Sequence, residues 1–394
     1  MSLPDDFFLG AGVSPLVARG AARRSDWRRW AERTHRPDAA EGNGFEERFE
    51  EDFAVLLSHR LDPVVIGVDW ARLEPHAGQI DAAEVEHVVQ VFSTARDAGL
   101  QPWAQLHDHT LPGWFADDTD GFRSDGPSIH WSRHVDRVAE MLDGLTAAWV
   151  PFSDPVGWAV RGHHIGSGPP GPRSTDAMHE AVVGALDATF EGWRLLRSGQ
   201  APVVGSFSLP LFHVADEAVG ADASAWQDAF WDSWILAVRD GELRLPWQAA
   251  IERPDMADAF DAIGVIPSPA VSVDPEGRLT AWPGKERQDD SGWCPPRHDV
   301  GEVLHAVGDQ LAGREFVAMG LGVTTSDDEW RADLHRAWLE SLSEAVADGV
   351  NIRGAIFDAA VDGYDPVTGF ESGRGLFTSE REPKQSLGWI DAQR

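Results

Sequence analysis

The strongest constraint on the fold is a regular alternation between short apolar segments and longer segments with helical periodicity. Eight apolar segments, rich in Val, Ile and Phe and bounded by Gly, Pro or Asp, are typical of strands. They span residues 7–13, 63–70, 102–108, 148–154, 202–209, 262–268, 315–321 and 353–358. Amphipathic segments lie between them, for example 83–98, 132–145, 178–198 and 327–348. Eight strands that each precede a helix predict an α/β fold of the (β/α)8 TIM-barrel class.

A doubly wound open sheet is the structural alternative. Such a sheet normally carries a Gly-rich phosphate-binding turn after an early strand, and Gly10-Ala11-Gly12 is not followed by the helix of that motif. Barrels often exceed about 250 residues as one unit, so the length does not require two domains. We therefore predict a single barrel domain over residues 1–394, with its functional site at the C-terminal ends of the strands.

Charge and cysteine content exclude several classes of partner. The formal net charge of −32 argues against binding to nucleic acid or to an anionic membrane surface, because both would repel the protein. Cys294 is the only cysteine, so neither an intrachain disulfide nor a thiolate metal cluster can form. The N-terminal residues lack the basic start and apolar run of a signal peptide, and no segment has the roughly 20 apolar residues of a membrane span. We predict a cytoplasmic protein.

Short motifs in a fixed order add a family resemblance. They include Phe-Leu-Gly-Ala at 8–11, Trp-Ala-Arg-Leu-Glu-Pro at 70–75, Leu-Pro-Gly-Trp at 111–114, Phe-Ser-Asp-Pro at 152–155, Gly-Pro-Pro-Gly at 168–171, and Pro-Lys-Gln-Ser at 383–386. In composition and order these motifs resemble family 1 glycoside hydrolases, the β-glucosidase family. The resemblance extends over essentially the whole chain and implies the same barrel fold.

Both catalytic glutamates of that family are absent by this resemblance. A retaining glycosidase needs two carboxyl groups about 5–5.5 Å apart, a nucleophile and an acid/base. The nucleophile position at the end of the seventh strand is occupied by Gly320, which has no side chain to attack with. The acid/base position is occupied by Asp154, whose carboxyl is one methylene shorter, and Ser153 replaces the neighbouring Asn. Ordinary retaining β-glycosidase activity is therefore not expected.

The resemblance also implies that the sugar-binding positions have changed together. The residues that stand where the family has its glycone contacts are Val17, Val65, Asp108, His109, Pro267 or its neighbours, Asp358, Asp365 and Pro366. Loss of an arginine at Val65 together with loss of a glutamate at Gly320 is physically coherent, because either charge alone would be buried without its partner.

The strand ends supply a different set of polar groups, which predicts an acidic, histidine-rich pocket. We take Asp154, Asp108 and His109 as candidate catalytic residues, because neighbouring carboxylates and imidazoles can shift one another's pKa toward neutrality. Candidate ligand-binding residues are His107, Ser153, Trp293, Asp358 and Asp365. The predicted function is acid/base chemistry on a small polar molecule. The alternatives are a pseudoenzyme that binds a ligand or protein without turnover, and a residual or inverting glycosidase that uses Asp154.

The ligand and the metal content follow from the same residues. An acidic pocket favours a polyhydroxylated or cationic small molecule over an anionic one such as a sugar phosphate. His107, Asp108 and His109 offer three potential metal ligands, but on a regular strand His107 and His109 would face one side and Asp108 the other. We therefore predict no metal and no cofactor.

Overall fold

Eight parallel strands form a closed barrel in the computed structural model, which describes residues 3–123, 128–171, 173–214, 220–275, 277–281, 287–297 and 299–392. The strands are β1 (Phe8–Val13), β2 (Val64–Gly67), β3 (Pro102–Gln105), β4 (Ala148–Val150), β5 (Val204–Leu209), β6 (Ala262–Pro267), β7 (Phe316–Leu321) and β8 (Ile352–Phe357). They pair in chain order, and β8 pairs with β1. A parallel bridge between Trp149 and Val203 joins β4 to β5 and closes the barrel. The predicted fold class is confirmed.

One helix of an outer ring follows each strand. These helices are α1 (Phe45–Ser58), α2 (Ala82–Ala98), α3 (Ile129–Met141), α4 (Thr175–Leu196), α5 (Ser233–Asp240), α6 (Asp299–Gln310), α7 (Asp328–Ala347) and α8 (Gln385–Ala392). Their ends have clear local causes. The Asp81 side chain accepts hydrogen bonds from two free backbone N–H groups at the start of α2, and Gly99 ends α2 with φ 100°, a conformation that favours glycine.

Shorter elements extend the connections between strands and outer helices. The short helices are Pro15–Arg19, Asp26–Thr34, Trp70–Leu73, Gly113–Asp118, Gly121–Arg123, Pro155–Ala159, Val160–Ile165, Gly220–Gln227, Asp228–Asp232 and Pro254–Met256. Minor strands are Phe212–Val214, Val271–Val273 and Leu279–Ala281 in one small sheet, and Glu242–Leu243 with Ile251–Glu252 in another. Across the described ranges, no helix combines the length and the apolarity needed to cross a membrane.

Side chains alternate between two apolar layers along the strands. On β7, Phe316 and Ala318 pack in the large cluster shared with the outer helices, whereas Val317 and Met319 belong to a smaller cluster with Val65 and Ile356. A period of two is what a strand produces when helices cover one face and the barrel interior the other. The residues of the smaller cluster therefore fill the barrel and support the site above them.

Three predicted strands are shorter than the sequence indicates. The second was expected to reach residue 70, the third residue 108 and the fourth residue 154, but β2 ends at Gly67, β3 at Gln105 and β4 at Val150. The chain bends after Gln105, and only isolated backbone bonds continue the pairing, such as the one from Ser153 N to His107 O (3.0 Å). The segments beyond the bends form part of the barrel mouth, where side chains no longer alternate.

Candidate functional site

A cavity of about 310 Å³ opens at the C-terminal ends of the strands, where the sequence places the site. The strands contribute mainly its apolar or small residues, Gly12, Val13, Val65, Gln105, Ser206, Ile266, Met319, Gly320 and Ile356. The connections beyond the strands contribute its charged residues, Asp108, His109, Asp154, Arg161, Asp358, Asp365 and Arg374. The cavity is thus an apolar well with a charged rim.

Asp108 and His109 form the most direct acid/base pair at this rim. His109 Nδ1 lies 2.7 Å from Asp108 Oδ1, and the other carboxylate oxygen accepts a hydrogen bond from Ser14. Burial acts to lower the pKa of His109, but the Asp108 carboxylate outweighs this effect and raises the pKa above its ordinary value. Burial acts to raise the pKa of Asp108, but His109 and the Ser14 hydrogen bond lower it. The pair therefore favours a charged imidazole beside a charged carboxylate.

The Asp108→Asn variant is expected to lower the pKa of His109. The substitution removes the carboxylate charge and leaves burial and the Arg161 charge, both of which disfavour the protonated ring. The measurement is an NMR titration of the histidine rings, with His109→Gln identifying the signal. Ser14→Ala is the matched control, because it removes a hydrogen bond from Asp108 but keeps the charge. An unchanged His109 pKa in Asp108→Asn would show that the carboxylate is not the cause of the shift.

His107 does not reach the cavity. Its side chain is buried, with its ring stacked on Phe152 at a centroid distance of 3.9 Å and edge contacts to Phe122 and Trp158. Burial lowers its pKa to about 3, so the ring is neutral. The expected alternation, with His107 and His109 on one face, is wrong, because the strand ends at Gln105 and both Asp108 and His109 turn toward the cavity. Among the described residues, no cluster of three or more His, Cys, Asp or Glu is placed to hold a metal ion.

Asp154 lines the cavity, but its carboxylate is occupied by the protein's own donors. It accepts hydrogen bonds from Gly157 N (3.0 Å), from Arg161 Nη1 (2.6 Å) and from the Ser208 hydroxyl. Asp154 is the N-cap of the helix Pro155–Ala159, and a Cβ atom at Gly157 would lie 2.0 Å from its carboxylate. A glycine at 157 is therefore required for the carboxylate to fold back in this way. The arrangement resembles a structural anchor more than a free proton donor.

Two arginines line the site that no sequence motif indicates. Arg161 lies on the π-helical turn Val160–Ile165, and its side chain remains 43% exposed despite the ion pair with Asp154. Arg374 follows β8; its Nε lies 3.0 Å from the Asp358 carbonyl oxygen and 3.4 Å from a carboxylate oxygen of the same residue. Burial raises the pKa of Asp358, against the effect of Arg374. The pocket is therefore less acidic than the sequence indicates.

Gly320 lies in a β-bulge. Ala318 pairs with Ala355 and Leu321 pairs with Phe357, so two residues of β7 stand opposite one residue of β8. Gly320 has φ 68°, a conformation that favours glycine, and both Met319 and Gly320 line the cavity. Arg374 Nη2 donates to the Gly320 carbonyl oxygen (3.3 Å). Within the described residues, β7 therefore presents a thioether, a backbone and no carboxylate to the cavity.

The remaining candidate residues lie on two levels. Ser153 and Asp358 line the inner cavity, and Trp293 lines an outer pocket of about 170 Å³ together with Trp27 and Trp158. Asp365 borders both pockets, as do His109 and Arg161, so the two pockets are adjacent. The oxygens of Asp365 accept hydrogen bonds from two backbone N–H groups of its own loop and from the Thr324 hydroxyl.

Comparison with known proteins gives concordant results. The sequence model of glycosyl hydrolase family 1 matches residues 2–234. 6-phospho-beta-galactosidases from Lacticaseibacillus casei and Staphylococcus haemolyticus are 20% and 22% identical, each over 98% of this chain and 97% of the relative. A beta-glycosidase from Pyrococcus horikoshii has a TM-score of 0.87 at 22% identity, over 100% of this chain and 94% of the other. A beta-glucosidase from Thermotoga maritima has a TM-score of 0.87 at 18% identity, over 99% of this chain and 98% of the other. At these identities the structural matches show the fold alone.

Proposed function

Because this chain belongs to glycosyl hydrolase family 1, whose sequence model matches more than half of it, we propose that it keeps the family barrel without the retaining mechanism and performs acid/base chemistry on a small polar molecule. The observation that carries this proposal is the cavity face of β7, where Met319 and Gly320 offer no carboxylate. Double displacement requires a nucleophile at one side of the anomeric carbon and an acid at the other. The second carboxyl, Asp154, is held by three internal donors.

His109 is the group best placed to transfer protons in this reaction. Asp108 pairs with one ring nitrogen, Nδ1, at 2.7 Å, and the other nitrogen, Nε2, takes part in no hydrogen bond or ion pair among the described residues. An imidazole oriented by a carboxylate, with its second nitrogen available to a ligand, is a common general acid/base arrangement. In this proposal Asp108 positions His109 and raises its pKa, and Asp154 is a positioning residue that holds Arg161. Ser153, Asp358 and Asp365 contact the ligand in the inner cavity, and Trp293 contacts its outer part.

We propose a polyhydroxylated ligand in preference to a cationic one. The sequence favours cations through its number of aspartates, but each of Asp108, Asp154 and Asp358 lies beside a histidine or an arginine. Their charges are therefore largely compensated within the protein. The volume of about 310 Å³ is at the lower end for small-molecule sites, which suits a ligand of monosaccharide size.

A β-glycosidase is the second candidate, because relatives of this chain are named as such enzymes. An inverting mechanism would need two carboxyl groups roughly 6.5–9.5 Å apart with a water between them. Asp154 with Asp108 or Asp358 would supply that pair, although Asp154 would first have to exchange an internal donor for the substrate. A pseudoenzyme is the third reading, in which the same cavity binds its ligand without turnover.

A depletion screen separates these readings. The protein is incubated with a mixture of polyhydroxylated metabolites and glycosides, and their loss is followed by NMR and mass spectrometry. We expect at least one non-glycosidic compound to be converted. Conversion of glycosides alone would favour the glycosidase reading, and binding without any conversion would favour the pseudoenzyme. The His305→Gln variant is a suitable control for replacement of His109, because His305 is a surface residue of α6 that pairs with Asp348.

A further inference from the structure

The hydrogen-bonding groups of the inner cavity are unequally used. Its carboxylate oxygens are largely engaged by the protein itself. Asp154 accepts from three donors, Asp108 contacts His109 and Ser14, and Asp365 accepts from two backbone amides and Thr324. These three carboxylates therefore leave little acceptor capacity for a ligand, and the fourth, Asp358, forms an ion pair with Arg374 at 3.4 Å.

Donors remain available in the same cavity. Arg374 uses Nε and Nη2 on the carbonyl oxygens of Asp358 and Gly320, and Nη1 has no partner among the described residues. Arg161 donates through Nη1 to Asp154, and its other nitrogens have no partner in the described ranges. The Ser206 hydroxyl is fully buried and lines the cavity, and it too lacks a partner within the described part of the chain. A buried hydroxyl without a partner is costly unless something else binds it.

We propose that the ligand carries a carboxylate, which Arg374 binds beside Gly320. The inference rests on the proposed function in taking this cavity as the ligand site, and it names the class of ligand. A carboxylate only accepts hydrogen bonds, so it matches a lining with spare donors and few spare acceptors. The ligand's carboxylate would lie against the part of β7 where the resemblance places the family's nucleophilic carboxylate, which Gly320 lacks. A hydroxylated acid of monosaccharide size, such as an aldonic or uronic acid, fits this description.

The charge of the lining favours a carboxylate over a phosphate. The inner cavity has three cationic groups, Arg161, Arg374 and His109, and each already lies beside an aspartate. With Asp365 the lining has four carboxylates against these three cationic groups, so each negative charge of the ligand adds repulsion and one charge is favoured over two. The net charge of −32 does not forbid anion binding, because surface charges beyond roughly 8 Å are largely screened at physiological ionic strength.

Calorimetric titration of the full chain tests the proposal without requiring turnover. The probes are gluconate and glucuronate, with glucose, glucosamine and glucose 6-phosphate as matched compounds of other charge. We expect the two acids to bind more tightly than the other three. Arg374→Gln should weaken their binding by roughly ten- to a hundredfold, the usual size of a lost hydrogen bond to a charged group. Arg353→Gln is the control, because Arg353 is similarly exposed but pairs with Asp6 and Glu315 at the opposite end of β8.

The ligand series on the unmodified protein keeps the test decisive if Arg374→Gln does not fold, and Arg161→Gln provides a second variant. Equal or tighter binding of glucose or glucosamine, or no binding of either acid, would overturn the proposal. Tighter binding of glucose 6-phosphate would overturn the choice of carboxylate. Unchanged acid binding in a folded Arg374→Gln protein would overturn the role of Arg374. Binding of acids without turnover would count against the proposed function alone, and turnover of a neutral compound against this inference alone.

Discussion

Nitrophenyl β-glucoside and β-galactoside are expected to remain intact in the presence of this protein over a wide pH range. Removal of a catalytic nucleophile lowers turnover by roughly a millionfold in enzymes where it has been measured, and β7 has no carboxylate in the cavity to take that part. A family 1 β-glucosidase assayed in parallel is the positive control. Release of nitrophenol by the parent protein, lost in Asp154→Ala, would show that Asp154 is a catalytic carboxyl and that glycosidase chemistry persists.

Restoring the glutamates should not restore the activity. In Gly320→Glu combined with Asp154→Glu, residue 320 would have to adopt φ 68°, which costs a residue with a Cβ atom roughly 1–2 kcal/mol. Its Cβ would also lie 3.1 Å from Ile266. Gly78→Ala is a matched stability control, since Gly78 has φ 75° but nothing within 4 Å of a Cβ. Substantial glycosidase activity in the double variant would mean that the bulge rearranges easily. It would also mean that the two substitutions alone account for the loss of glycosidase activity.

The fold could be predicted from the sequence because its signals are local and repeated. Each strand is a continuous apolar run, because one face packs in the barrel interior and the other against the outer helices. The helix ends have Asp and Gly at the positions where capping favours them. Each of the eight strands lies inside its predicted segment or extends beyond it by one residue. The strand ends were less predictable. Whether β3 stops at Gln105 depends on bends in the barrel mouth, and these decide that His107 packs against Phe152 whereas His109 meets the cavity.

The charge balance of the site could not be predicted, because it depends on residues outside any motif. Arg374 reaches Asp358 and Gly320 from a loop that follows β8, and only the three-dimensional fold brings it there. The contact of Arg161 with Asp154 was not predictable from their spacing either, because Asp154 precedes the helix Pro155–Ala159 with φ 52° and Arg161 lies on the π-helical turn that follows it. The same geometry explains why Asp154, chosen as a catalytic candidate, is bound by internal donors.

Replacement of His109 is expected to have the largest effect on any turnover that the depletion screen finds. His109→Gln should lower kcat by roughly 10²- to 10⁴-fold, the contribution of a positioned general acid or base, because glutamine keeps a polar group but cannot transfer a proton near neutral pH. Binding of the ligand, measured by calorimetry, should change much less. His305→Gln should leave the rate unaltered.

The pH profile distinguishes a proton-transfer role from a structural one. The limb of kcat/KM that reports His109 should move to lower pH in Asp108→Asn, because Asp108 is what raises the pKa of His109; the nearby Asp358 carboxylate also raises it, and Arg161 lowers it. Burial then acts with Arg161 to favour the neutral ring. A variant that merely loosened the fold would lower the rate at every pH without moving the limb. If His109→Gln retained full activity, the proton-transfer group would have to be sought among the other cavity residues, and Asp358, whose pKa burial raises, would be the next to replace.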